Sequence, residues 1–266
     1  MARIHPSAIV DPKAELAEDV QVGPYSIIGP GVRIGAATQV GAHAVIAGRT
    51  TIGRANRIFP FCTIGTEPQD KKYAGEDTEL VMGDGNTVRE YCLLNTGTVQ
   101  GGGVTRIGSD NWIMGYVHLA HDGIIGDHTI IANAVQLAGH VRVDDWAVIG
   151  GTAAVHQFVR IGAHTMIGGG TILVQDVPPF FICDGNPAQP HGVHVEGLRR
   201  RRFSPETISA LKRAYRIVYR DKLPLAEARA ALDALIAGLA PAEAEAAAPL
   251  RALAEFLAVP GRGIVR

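Results

Sequence analysis

Stepping by six residues from Ile4 lands on an aliphatic side chain every time as far as Ile64: Val10, Leu16, Val22, Ile28, Ile34, Val40, Ile46, Ile52 and Ile58 lie between. The phase breaks across "DKKYAGEDTE" and returns at Met82, Val88 and Leu94. It slips by one across "QGGGVTR", then runs from Ile107 to Leu173. Glycine often follows the aliphatic residue, as at Gly23, Gly35, Gly108 and Gly150. Four places after it the side chain is mostly small or β-branched: Ser26, Thr38, Cys62, Thr129.

A period of six fits neither a helix at 3.6 nor a strand alternating at 2. It fits a parallel β-helix of hexapeptides, each one short strand and one corner. Three hexapeptides close a triangular coil of about 18 residues, with the aliphatic side chain pointing inward onto its counterpart one coil away. Glycine is expected where the corner is crowded or φ must turn positive. Families with this repeat wind left-handed, against the usual rule for parallel crossovers. A β-sandwich with regular turns would not hold so strict a phase. The expected fold class is therefore mainly β: a left-handed parallel β-helix of hexapeptide repeats with a C-terminal α-helical domain. Near Gln175 the pattern stops, and "DVPPFFICDGNPAQPHG" reads as a proline-rich linker. Beyond it the period becomes helical. Ser204 stands as N-cap with Pro205 at the first helical position, and two alanine- and leucine-rich stretches follow at roughly 224–238 and 241–257. The expected division is a β-helix over 1–190 and a helical domain over 191–266.

Composition narrows the function classes. A net charge of −1 gives no global electrostatic case for nucleic acid or an anionic membrane surface. Three cysteines without metal or redox spacing suit a reducing compartment. The amino terminus has no apolar signal core and no stretch reaches membrane-spanning length, so a cytoplasmic protein without membrane insertion is expected.

The coil decides which polar residues meet. Residues one coil apart stack at about 4.8 Å. His121 then lies under Gly139 and Gly139 under Gln157. Asp122 lies under His140, Ala120 leads through Ala138 to His156, and His118 is one hexapeptide boundary away. Polar groups scattered along the chain thus gather on one corner. Isolated corner histidines such as His5, His43, His128 and His164 are expected merely to face solvent. For the cluster, zinc is one reading, since three histidines at a corner could hold it. Asp122, Gln157 and a glycine column are not what a closed metal site needs. The alternative is acyl transfer: His121 as general base toward a hydroxyl nucleophile, Asp122 to orient its imidazole, and the Gly139 amide for the oxyanion.

The segments "QDKKYAGE" (69–76), "TVQGGG" (98–103), "HLAHD" (118–122), "LAGHV" (137–141), "VHQF" (155–158), "QDVPPF" (175–180), "GNPA" (185–188) and "VEGLRRR" (195–201) resemble the acyl-carrier-protein-dependent UDP-N-acetylglucosamine O-acyltransferases that begin lipid A synthesis. The resemblance spans nearly the whole chain, and the 69–76 loop with the ordered histidines His118, His121, His140 and His156 is its most specific part. It implies a homotrimer with sites between prisms. It implies an (R)-3-hydroxyacyl chain delivered on the phosphopantetheine of acyl carrier protein, with no other cofactor and no metal, to the 3-hydroxyl of UDP-N-acetylglucosamine. It implies that Gln69, Asp70 and Lys72 meet substrate on a loop that can cross to the neighbouring prism. His118, His140, His156 and Gln157 would line the acyl and sugar-nucleotide sites. Glu196 would meet the nucleotide end, and Arg200 its phosphates. The basic run 198–203 would also attract an acidic carrier protein.

Lys71 and His194 depart from the family pattern, which has an aliphatic residue and often asparagine there. The remaining alternatives are relatives with a 3-amino sugar nucleotide or acetyl-CoA as substrate, and a zinc-dependent γ-type carbonic anhydrase. In the family, the bulk of one groove residue sets acyl length, and Gly169 holds that position. With Gly115, Asn133 and Gly151 it forms a column of mostly small residues at coil spacing, expected to admit a long chain. Gly169→Met should shift donor preference to shorter acyl chains when a series of acyl carrier proteins is compared, and unchanged selectivity would refute that role.

Overall fold

The structure, a computed structural model, describes residues 2–259 and 261–266. Strands mostly two residues long repeat along the chain and pair with the strand one coil before and after. They build three faces, of eleven, nine and eight strands among the described residues and parallel except for the last strand of the first, that close a left-handed prism. The register holds from coil to coil: Gln39 pairs with Arg57 and Val40 with Ile58, and one face on, Val45 pairs with Thr63 and Ile46 with Ile64. Ile28, Ile46, Ile64, Leu94, Leu119, Leu137 and Val155 stack in one inward column and are buried. Their burial is the main driving force for closing the coil.

The corners divide the work that sequence reasoning assigned to glycine alone. Most glycines after the inward aliphatic residue are required by crowding, Gly29 being an exception with no atom closer than 3.4 Å to an added Cβ. A Cβ on Gly35 would lie 2.7 Å from the carbonyl carbon of Gly53, and one on Gly108 would lie 2.5 Å from the Gly126 carbonyl oxygen. Positive φ falls two residues later and mostly on side-chain-bearing residues, such as Tyr25 (59°), His43 (56°), Phe61 (65°), Tyr91 (61°) and Tyr116 (63°). An L-residue there costs roughly 1–2 kcal/mol. The repeat gives something back. Those five rings form one ladder with centroids 4.9–5.0 Å apart, and aromatic pairs are worth about 0.5–1.5 kcal/mol each. His128, Trp146, His164 and Phe180 form a second stacked ladder on another corner. His43, His128 and His164, expected as bare surface residues, are thus rungs of these ladders.

The small residue that follows is buried and ties coils together. Ser26 Oγ donates to Gly41 O (2.7 Å), and Thr38 Oγ1 to Gly53 O (2.9 Å). At the same corner as Thr38, Asn56, Asn86 and Asn111 form a buried ladder. Asn86 Nδ2 donates to Asn56 Oδ1 (3.0 Å) and Gly108 O (2.9 Å), while its Oδ1 accepts from Asn111 N (3.0 Å).

The stretch expected to be a linker is structured. Phe181–Gly185 adds to the eleven-stranded face, and Ala188–Val193 returns antiparallel along it as a hairpin. The edge position explains why Pro190 is tolerated in a strand. Four helices follow: α1 Val195–Arg200, which sequence periodicity missed, α2 Pro205–Tyr219, α3 Leu225–Ala237 and α4 Ala247–Ala258. Ser204 caps α2 as expected, its Oγ accepting from Thr207 N at 3.2 Å. The third predicted helix begins instead as a 3-10 turn over Pro241–Ala246. Phe181, Leu198, Leu211, Leu250 and Leu253 share a second buried cluster between prism and helices. Arg160 joins the two, pairing with buried Asp176 at 2.8 Å while its guanidinium lies over Phe256.

Asn86→Ala strands the Asn111 N–H and the Gly108 carbonyl inside the corner. It should cost about 3 kcal/mol, at the upper end for a buried polar group left unpaired. Denaturant unfolding against the parent chain tests this, and a loss below about 1 kcal/mol would show that the ladder is dispensable.

Candidate active site

The histidine cluster sits where the chain turns from the nine-stranded into the eight-stranded face. His118 points outward on the nine-stranded face, paired in register with Leu93 and Gln136, while Leu119 points into the core. Two residues later the chain reaches His121, and Asp122 makes the corner with φ 59°. This kink puts two consecutive side chains on one side. His121 Nδ1 and Asp122 Oδ2 are 2.8 Å apart, and the Asp122 side chain is only 1% exposed. Asp122 accepts further bonds from Thr98 Oγ1 at Oδ2 (2.6 Å) and from Thr98 N at Oδ1 (2.9 Å). Because the carboxylate accepts a hydrogen bond from Nδ1–H, the Nε2 lone pair of His121 is left free to accept a proton.

The next coil completes the corner. His140 N donates to His121 O (3.0 Å), which sets Gly139 above the imidazole. A Cβ on Gly139 would lie 2.5 Å from His121 Cε1 and 2.6 Å from Nε2. Only glycine leaves the ring its place. Gly139 is buried, and its N–H meets no acceptor among the described residues. His140 stacks on Phe158 (4.4 Å) and meets His121 edge-on (5.1 Å), and burial lowers its pKa, partly opposed by Asp122. Burial also lowers the pKa of His118. His118 Nε2 lies 3.0 Å from Asn95 Oδ1, and Asn95 Nδ2 donates to Glu67 O at 2.7 Å. The Asn95 oxygen is therefore the acceptor, and His118 carries its proton on Nε2.

Two grooves meet at His121. One, of about 470 Å3, runs along the nine-stranded face past His118, Gly139 and His156 over the apolar side chains of Ala154, Ile172 and Val174. The other, of about 850 Å3, is bounded by Gln69, Asp70, Lys72, His140, Gln157 and Phe158. The 69–76 loop lies beside its own chain's histidines, with Gln69 on both grooves. His121, Asp122, Gly139, His118, His140, His156, Gln157, Gln69, Asp70 and Lys72 are thus brought together within one chain.

Three expected residues are not. Gly169 precedes the strand Ile172–Leu173 and so stands at the far edge of the nine-stranded face, opposite the His121 corner. A Cβ there meets only Gly151, at 3.4 Å or more. Glu196 and Arg200 lie on α1, exposed and paired with each other at 3.1 Å. That helix packs at the third corner, where Arg201 lies over Trp146 and beside His164, and His194 Nδ1 donates to His164 O. Burial and the Arg201 charge push the His164 pKa down to about 4.

Sequence reasoning quoted the segments that contain Thr98 and Phe158 without giving either residue a role, and it missed Asn95 altogether. Thr98 lies just ahead of the insertion that shifts the repeat, where column arithmetic fails. The zinc reading has a geometric basis, since ligand atoms of His121, Asp122 and His140 lie within 4.8 Å of one another. Both Asp122 oxygens are, however, already committed to hydrogen bonds from Thr98 and His121.

A family model described as bacterial transferase hexapeptide (six repeats) matches residues 1–36, and one described as UDP N-acetylglucosamine O-acyltransferase, domain 2, matches 176–265. The chain is 58% identical to the acyl-[acyl-carrier-protein]–UDP-N-acetylglucosamine O-acyltransferase of Thiobacillus denitrificans and 57% to that of Burkholderia lata, over all of each chain. Among solved structures it superposes on the UDP-N-acetylglucosamine O-acyltransferase of Moraxella catarrhalis with a TM-score of 0.93 at 43% identity, covering 99% of both chains. For the Arabidopsis UDP-N-acetylglucosamine acyltransferase the TM-score is 0.83 at 31% identity, covering 99% of this chain and 100% of that one.

Gly139→Ala forces the His121 ring off its position without touching the inward core. It should keep a near-normal melting temperature and lose at least about 100-fold in turnover, the scale of misplacing a general base, since the amide N–H itself is retained. Full turnover would show that the ring position is unimportant.

Proposed function

The chain belongs to the acyl-[acyl-carrier-protein]–UDP-N-acetylglucosamine O-acyltransferase family, and from that premise we propose a mechanism in which His121 is the general base. The enzyme is an acyltransferase. In our reading the acceptor is the sugar 3-hydroxyl and the donor an (R)-3-hydroxyacyl thioester on the phosphopantetheine of acyl carrier protein. Nε2 of His121 takes the hydroxyl proton as the oxygen attacks the thioester carbonyl. The carbonyl oxygen gains the negative charge, and the Gly139 N–H donates to it. Collapse breaks the carbon–sulfur bond, and the imidazolium returns its proton to the departing thiolate. The products are the 3-O-acyl sugar nucleotide and free carrier thiol, with no further cofactor or metal in the balance. The observation that carries this reading is the His121–Asp122 pair beneath a glycine amide that has no acceptor within the described residues.

The apolar trough along the nine-stranded face suits the acyl chain. It leads from His121 toward the edge where Gly169 stands. His118, His156, Gln69, Asp70 and Lys72 would hold the polar parts of the substrates, with His140 and Gln157. Glu196 and Arg200 sit on a different corner of the same prism, so a nucleotide bound at His121 would meet them only from another copy. This supports a homotrimer with sites shared between prisms. So do the exposed Trp112 (42%) and Ile130 (39%) on the flat eleven-stranded face. Such an enzyme would open lipid A synthesis in the cytoplasm. No helix among the described residues is long and apolar enough to cross a membrane.

Turnover of UDP-N-acetylglucosamine with 3-hydroxyacyl carrier protein should fall by roughly 100- to 10,000-fold in His121→Ala, the usual range for losing a general base. Turnover near that of the parent would remove His121 from this role.

A further inference from the structure

The glycine-rich segment 97–103, which runs into the insertion that breaks the hexapeptide phase, leaves the coil at the corner beneath His121 and wraps the Asp122 carboxylate. We propose that Thr98 is a positioning residue for the acyl transfer: it fixes the Asp122 carboxylate so that His121 keeps its proton on Nδ1 and its lone pair on Nε2. This rests on His121 being the base.

Thr98 is buried and approaches the carboxylate with two donors, Oγ1 to Oδ2 at 2.6 Å and the backbone N–H to Oδ1 at 2.9 Å. With both oxygens held in one plane, Oδ2 has one direction left, toward His121 Nδ1 at 2.8 Å. The glycines of the segment make this approach possible. A Cβ on Gly97 would lie 2.8 Å from Asp122 Oδ1, and one on Gly101 would overlap the carboxylate carbon. Gly101 has no positive φ, so its requirement for glycine is set by the carboxylate and not by backbone conformation. Thr105 Oγ1 completes the cradle by accepting from Asp122 N at 2.9 Å. A run of glycines that looks like a flexible loop is therefore a close-fitting clamp on one anion-shaped group. An adjacent aspartate alone would have rotamer freedom to turn away from the imidazole. The clamp removes it.

A structural role competes with this one, because Thr98 Oγ1 also accepts from Gly101 N at 3.3 Å and caps the short turn. The two roles separate in a double-mutant cycle. Turnover and KM are measured for the parent, Thr98→Val, Thr98→Ser, Asp122→Ala and Thr98→Val with Asp122→Ala, alongside His121→Ala and thermal melting of each. A hydrogen bond to a charged group is worth a factor of about 10 to 100 in rate. Thr98→Val should lose that factor in kcat with KM for both substrates within about threefold, and Thr98→Ser should recover most of it. In the Asp122→Ala background the same change should cost less than about twofold, since the clamp has nothing to hold. Parent-like kcat in Thr98→Val, or the same loss in both backgrounds, overturns the proposal while leaving an inactive His121→Ala to support the base. Parent-like turnover in His121→Ala overturns the base itself. If Thr98→Val does not fold, Gly101→Ala decides: it should lose rate beside Asp122 and lose none in Asp122→Ala, and equal effects in both backgrounds refute the clamp.

Discussion

Everything in this protein depends on the parallel hydrogen-bond ladder that locks each coil onto the last in unchanged register. Pairs such as His118 with Gln136 and Ala154 with Ile172 keep the same spacing along the face. A ladder of this kind cannot slip by one residue without turning the whole inward aliphatic column to solvent. The interior holds the register, and the register holds the corners. The geometry of the histidine corner is thereby inherited from hydrophobic burial, and no separate scaffold is needed to bring residues together from distant parts of the chain.

The corners show how the fold manages its own costs. A triangular coil forces left-handed backbone at almost every turn, and most of these positions carry side chains. Stacking in columns turns that liability into contact, as in the ladder from Tyr25 to Tyr116. The same column logic places Asp122, His140 and Phe158 on successive coils. Structural ladder and candidate site are one device with different residues in it. What distinguishes the site is an interruption: the glycine-rich segment 97–103 fills the space beneath Asp122, and the 69–76 loop walls the groove beside His140.

Much of this was legible in the residues. Strict phase over ten successive hexapeptides leaves few folds open, and an inward column needs only identity and spacing to be recognised. The pairing of His121 with Asp122 and the position of Gly139 follow from coil arithmetic, because both lie in an unbroken run from Ile107 to Leu173. Where the run breaks, arithmetic loses its ruler. Thr98 and Asn95 bond Asp122 and His118 from the coil whose length the insertion changes, and the hairpin after Pro179 pairs at an edge that no period announces. Which glycines serve crowding and which serve φ was also hidden, since both look alike in a repeat.

The sequence by itself determined the winding: six-residue periodicity of aliphatic side chains, the histidine columns and the family likeness are all properties of residue order. Only the tertiary structure decided what those columns do. It separated Glu196 and Arg200 from His121 by a full corner of the prism, and it closed a glycine-rich segment around a single carboxylate. The physical reason is one of range. Periodicity reports the direction of each side chain relative to its own strand. Hydrogen bonds at under 3 Å between residues 24 apart, such as Thr98 and Asp122, depend on the packing of segments whose lengths follow no rule.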